Sequence, residues 1–198
     1  MYHPHQYQQP QHTVQIIVPQ YAYQVGFAPQ NPAAYRLFIG VDLNRSGSVD
    51  HRELHHALSN GGHTAFSFKT VKILMRMFAA DGGHTLGYRE FENLIGQLQA
   101  WRAWFDTADS DRSGKLSPPE LTRCLQAFGF NFPPQTYYHI FNAVDLDSSQ
   151  TIGFDEFVQV LAEVNALTAS FRRQDPGSTG RATMDYATFI SMVYSTRS

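Results

Sequence analysis

Two twelve-residue stretches, Asp42 to Glu53 and Asp109 to Glu120, place oxygen-bearing side chains at alternate positions, which is the chemistry of capturing a hard cation. In the first, Asp42, Asn44 and Ser46 offer side-chain oxygens and the Ser48 carbonyl is a fourth donor. Asp50 acts through a water, and Glu53 closes the site with both carboxylate oxygens. Gly47 supplies the positive φ of the sharp turn. The second stretch repeats the set with Asp109, Asp111, Ser113, the Lys115 carbonyl, Ser117 and Glu120 around Gly114. Calcium takes about six to eight such oxygens, so Ca2+ is expected at both. The competing reading is an acidic turn that only caps a helix; two complete matches in one chain weigh against it.

Such a loop holds an ion only between two helices, and the chain repeats that unit five times. An aromatic or long apolar residue recurs as Phe38, Met75, Phe105, Phe141 and Phe171. Four residues after each comes a loop start: Asp42, Ala79, Asp109, Asp145 and Asp175. An apolar strand position follows as Val49, Leu86, Leu116 or Ile152, with Ala182 in the fifth copy. The closing residues are Glu53, Glu90, Glu120 and Glu156; the fifth copy runs two residues longer. The loops are therefore 42–53, 79–90, 109–120, 145–156 and 175–188.

The other three loops depart from the pattern. The second lacks an oxygen at its first position and has His84 where glycine is expected, so it reads as structural. The fourth keeps Asp145, Asp147, Ser149, the Thr151 carbonyl and Glu156, a weak metal site. Its Gln150 stands at the turn, where left-handed geometry costs a side chain on the order of 1 kcal/mol. The fifth retains Asp175 and Gly180 but loses its other acids, and no metal is expected there.

Loop starts lie 37, 30, 36 and 30 residues apart. Thirty residues less a loop leave about one helix of 18, roughly 27 Å, so neighbouring units must share a helix. Glu90 to Ala108 and Glu156 to Gln174 are expected to be those shared helices. The fold class is then all-α: five helix-loop-helix units with short paired β-strands in the loops, first with second and third with fourth. The fifth is left unpaired. Its last helix carries Tyr186, Phe189, Ile190, Met192 and Val193. Pairing with the same helix of a second chain would cover that surface, forming a homodimer or heterodimer; folding back on its own lobe is the alternative.

Composition narrows the classes. The chain has 198 residues, 42% hydrophobic and 14% aromatic, which is ample for a core. Fifteen Lys plus Arg against 17 Asp plus Glu give a net charge of −2, too balanced for nucleic acid bound through bulk charge. Cys124 is the single cysteine, so an intrachain disulfide is excluded, and it reads as a packed thiol rather than a nucleophile. With no triad or phosphate loop, no enzyme is expected. Neither a secretory signal nor an apolar run of about 20 residues is evident, which points to a soluble cytoplasmic protein. Residues 1–31 form a low-complexity His/Gln/Tyr/Pro tail ahead of the domain at 32–198. Within the tail, His3, His5 and His12 are too loosely spaced for a convincing metal site, and Val14 to Val18 is the one strand-forming stretch.

Five such units, alternating spacing, an unpaired last copy with an insertion and an uncharged tail resemble the penta-EF-hand family. Leu54 to Gly61, Phe171-Arg172-Arg173 and Ile190 to Tyr194 resemble its programmed-cell-death protein 6 group in particular. The resemblance implies an intracellular calcium sensor and adaptor that dimerises through the fifth repeat. On binding calcium it would dock Pro-rich segments of trafficking or membrane-repair partners and be recruited reversibly to endomembranes. It also implies a partner groove at Trp101, Phe128, Phe130 and Tyr186, although aromatics at helical spacing are equally often core. Asn131 stands where close relatives carry an arginine. Phe189, Ile190, Met192 and Val193 would form the dimer interface. Other readings are a calcium buffer, a constitutive scaffold, or a regulatory subunit of a calpain-like protease.

Overall fold

The loop starts fall where the helices stop. In the computed structural model, which describes residues 31–60 and 65–197, α1 runs Pro32–Val41, α2 His51–Asn60, α3 Phe68–Phe78 and α4 Tyr88–Ala108. Beyond them come α5 Pro118–Ala127, α6 Pro134–Val144, α7 Phe154–Gln174 and α8 Tyr186–Arg197. The all-α expectation holds, and both shared helices are continuous, each 21 residues long. The tail readings, including His3, His5, His12 and Val14 to Val18, lie outside the described residues.

Local chemistry sets these boundaries. Asn31 caps α1 by accepting the Ala33 and Ala34 amides at 3.1 and 3.2 Å, with Pro32 in the first turn. Ser67 caps α3 through the Thr70 amide at 3.2 Å. Pro118 and Pro119 open α5, where their missing N–H groups cost nothing. The aromatic four residues before each acidic loop closes the last turn. Asp42, Asp109, Asp145 and Asp175 donate their amides to the Phe38, Phe105, Phe141 and Phe171 carbonyls at 2.9 to 3.1 Å.

The loops are tied in pairs. Strand β1 (Val49–Asp50) runs antiparallel to β2 (Thr85–Leu86), with Val49 opposite Leu86. Leu116 and Ile152 exchange both backbone hydrogen bonds, at 2.8 and 2.9 Å. All four of these apolar residues are fully buried, so each pair of loops is pinned through the core. Among the described residues the fifth loop contributes neither strand nor bridge.

One core runs through the molecule. Phe105 meets Phe154 and Phe157 edge-on at 5.5 and 5.4 Å, and Phe66 meets Phe154 at 5.8 Å. Helix α4 packs against α1, α3, α5 and α7, and α3 lies along α7, so the two loop pairs share an interior. Helix α8 rests on α7.

Candidate metal centres

In the third loop the closing acid is part of a helix start. Glu120 is the third residue of α5, and its Oε2 accepts the Ser117 amide and hydroxyl at 2.9 and 2.7 Å. Its Oε1 accepts the Ser110 amide and hydroxyl at 3.0 and 2.6 Å. Led by the Ser110 hydroxyl and then the Ser117 amide, these donors hold the Glu120 carboxyl down at about 2. At neutral pH a buried, fully ionised carboxylate therefore faces the loop. Asp109 accepts the Ser113 amide on Oδ1 and the Gly114 amide on Oδ2, at 3.0 and 2.8 Å. Asp111 accepts the Ser113 amide at 3.0 Å, and the Ser113 hydroxyl donates to the Lys115 carbonyl at 3.0 Å. Asp109, Asp111 and Glu120 offer ligand oxygens all within 4.8 Å of one another. Convergent hard oxygens fit calcium, which the carboxylates would hold by charge.

The first loop has the same build. Asp42 accepts the Ser46 and Gly47 amides, both at 2.9 Å, and Asn44 accepts the Ser46 amide at 2.8 Å. The Ser46 hydroxyl donates to the Ser48 carbonyl at 2.8 Å. Glu53 accepts the Asp50 amide at 3.0 Å and the Asn44 amide at 3.2 Å. Asp50 in turn accepts the Arg52 and Glu53 amides at 2.8 and 2.9 Å, so its carboxylate caps α2.

The fourth loop copies these geometries despite its missing glycine. Ser149 and Gln150 donate their amides to Asp145 at 2.9 and 3.1 Å, and the Ser149 hydroxyl donates to the Thr151 carbonyl at 2.8 Å. Gln150 takes φ 60°, beside 81° at Gly47 and 79° at Gly114. Asp147 accepts the Ser149 amide at 3.0 Å. Glu156 accepts the Gly153 amide at 2.7 Å, but burial raises its pKa above the usual carboxylate range. In the second loop Glu90 accepts the Ala80 and Gly87 amides, both at 2.7 Å, and Asp81 takes the His84 and Thr85 amides at 2.8 and 2.9 Å. In the fifth, Asp175 accepts the Thr179 and Gly180 amides at 2.9 and 2.7 Å.

The aromatic residues divide differently from the groove set. Trp101 is 3% exposed and belongs to the core, whereas Trp104 is 44% exposed and lies 5.0 Å from the Phe128 ring. Phe130 stacks on Phe132 at 6.1 Å, pinned by the Tyr137 hydroxyl donating to the Phe130 carbonyl at 2.6 Å. Tyr186 is 78% exposed. Phe189 of α8 is exposed, and Ile190, Met192 and Val193 are half-buried. Beside the third loop a cleft of about 420 Å³ is lined by Trp104, Ala108, Ser110, Arg123, Cys124 and Ala127. Burial lifts the Cys124 thiol to about 11, which keeps it unreactive.

Trp104 is legible in the sequence as an aromatic on the helix entering the third loop, open between core and surface, whereas Ser110 is not singled out by it. Ser110 was a small polar residue at a loop position filled elsewhere by Leu43, Ala80, Leu146 and Pro176, and that contrast was the available signal.

Comparison with known proteins bears on these loops directly. The EF-hand domain pair family matches residues 99–162, which span the third and fourth loops. Sorcin of Mus musculus is 34% identical over 180 residues, covering 85% of this chain and 89% of its own. Peflin of Danio rerio is 33% identical over 162 residues, covering 81% of this chain, which spans 60% of peflin's length. The probable calcium-binding protein CML48 of Arabidopsis thaliana is 35% identical over 172 residues, 84% of this chain and 75% of its own. Among solved structures, a homolog of programmed cell death 6 protein from Leishmania major superposes with a TM-score of 0.68 at 27% identity, covering 82% of this chain and 93% of that one. Repeated oxygen-donor loops, helices shared between loops and relatives matched over most of their length converge: the chain is a calcium-binding member of the penta-EF-hand family.

Proposed function

We propose that the chain is a calcium sensor and adaptor that takes Ca2+ at the first and third loops and then docks Pro-rich segments of partner proteins. The fourth loop is a weaker site. The observation that carries this reading is Ser110, whose hydroxyl is bonded to Glu120 and whose side chain also lines the cleft beside Trp104. An ion drawing on both Glu120 oxygens competes with the Ser110 hydroxyl for Oε1, so the metal loop and the aromatic surface are linked through one hydrogen bond. Exposed Trp104 with Phe128 offers the flat faces that suit preformed polyproline segments. Phe130 and Tyr186 extend that surface, and Trp101 supports it from the core.

Helix α8 of the fifth unit, with Phe189, Ile190, Met192 and Val193, is the dimer face in this reading. No helix among the described residues is long and apolar enough to cross a membrane. In this reading, which rests on the likeness to calcium-binding relatives, the protein acts in the cytoplasm, is recruited to endomembranes when calcium rises, and works by binding rather than by catalysis. A buffer or constitutive scaffold is favoured by one observation: the loops hold their turns through internal hydrogen bonds.

Calcium titration calorimetry of wild type, Glu53→Gln and Glu120→Gln separates the loops, each variant losing one tight site. Unchanged stoichiometry in either overturns the assignment. Retention of immobilised Pro-rich peptide in calcium but not in chelator supports the sensor, and equal retention in both supports the scaffold.

A further inference from the structure

Helix α3 has an outward stripe that neither the loops nor α8 account for. At about 100° per residue, Phe68, Lys69, Lys72 and Arg76 fall within about 100° of arc, while Val71, Leu74 and Met75 face the core. The helix contains no acidic residue. Phe68 is 43% exposed and Lys69 is 60% exposed, and Lys72 is also exposed. The Phe68 ring is held in place: His55 meets it edge-on at 5.5 Å, His51 lies at 6.3 Å, and the Lys72 ammonium stands 5.3 Å over its face. The acids nearby are Glu163 of α7, 3.3 Å from Lys69, and Asp50 and Asp81 near His51. In the Lys69 to Glu163 pair the lysine is exposed and the glutamate half-buried with Gln159 as a second donor at 3.1 Å, so the lysine can exchange its partner for another anion.

We propose that this stripe is a contact surface for anionic phospholipid membranes. An exposed ring flanked by cations on long apolar stems suits the boundary between headgroups and acyl chains, with each cation near the surface adding attraction to acidic lipid. A convex helix face meets a bilayer along its length, whereas an acidic peptide would seek a groove. The surface names where the recruitment proposed above takes place. Its calcium dependence rests on the calcium reading of the first loop, whose Asp50 precedes and whose Glu53 stands in the first turn of α2, the helix that carries His51 and His55. Neutralising those acids leaves the cations of α3 less opposed.

The test is co-sedimentation of the full chain with vesicles of phosphatidylcholine alone or mixed with phosphatidylserine, in calcium and in chelator. Wild type is expected to pellet with the mixed vesicles, more so in calcium and less so in high salt. The Lys69→Gln/Lys72→Gln variant is expected to bind about tenfold more weakly, with its calcium isotherm unchanged as proof of folding. Phe68→Ser is expected to weaken binding as well. Equal binding by the lysine variant and wild type, equal binding to neutral vesicles, or capture by soluble polyglutamate without vesicle binding overturns the proposal. A normal calcium isotherm without vesicle binding removes the membrane surface alone; vesicle binding by a chain that takes no calcium removes the sensor reading alone.

Discussion

Each closing glutamate does two jobs, and its surroundings decide how it titrates. Glu120 accepts two amides and two hydroxyls, which depress its pKa to about 2, so its contribution to stability is present above the ordinary carboxylate range and is lost only as pH falls toward that value. Glu156 has the opposite sign, because burial raises its pKa and charging it in the folded state costs stability that returns as pH falls through the folded value. In calcium-free melts at neutral pH, Glu120→Gln is therefore expected to lower the midpoint and Glu156→Gln to raise it. Both differences should shrink on acidification, that of Glu156→Gln first; melts across a pH series in chelator check the order. At the turn of the fourth loop, Gln150 adopts the left-handed φ that Gly47 and Gly114 take without strain. Gln150→Gly is expected to stabilise the calcium-free chain by up to about 1 kcal/mol, read from urea unfolding. The missing glycine was legible in the sequence. That the loop bends anyway was not, because the core-buried Ile152 that anchors it acts from outside the turn.

At the level of elements, interval arithmetic was enough to find both shared helices, because a fixed loop length leaves only one helix in thirty residues. Their starts were not so legible. Helices α4 and α7 begin at Tyr88 and Phe154, two residues before Glu90 and Glu156, since each glutamate reaches back to the amide of Gly87 or Gly153 and so occupies the third helical position. Strand pairing between loops followed from the apolar residue in each, and the Leu116 and Ile152 exchange makes the third and fourth loops one mechanical unit. Ile152→Ala should cost about 2–4 kcal/mol. It should also weaken calcium binding at the intact third loop, which calorimetry on the variant will show as a shifted isotherm.

Across the whole molecule, the two tryptophans report on different things. Phe91, Leu94, Leu98, Trp101 and Phe105 recur at helical spacing and are all buried, so the core role of Trp101 was readable from α4 itself. Trp104 falls off that stripe and stands at the cleft beside Phe128. A calcium-dependent change in emission is therefore expected to survive Trp101→Phe and to vanish in Trp104→Phe, as steady-state fluorescence during titration will tell. The surface roles were less legible because exposure depends on how α3, α4 and α8 are placed together, which no single helix records. The serine hydroxyls that already hold the Ser48 and Lys115 carbonyls have a further consequence in time rather than affinity. A loop that keeps these bonds in calcium-free solution need not wait for the chain to rearrange, and its capture would then be limited by shedding water from the cation, which calcium does far more readily than magnesium. The signal's duration is then set by how slowly each loop lets go, and the two best loops act as separate clocks.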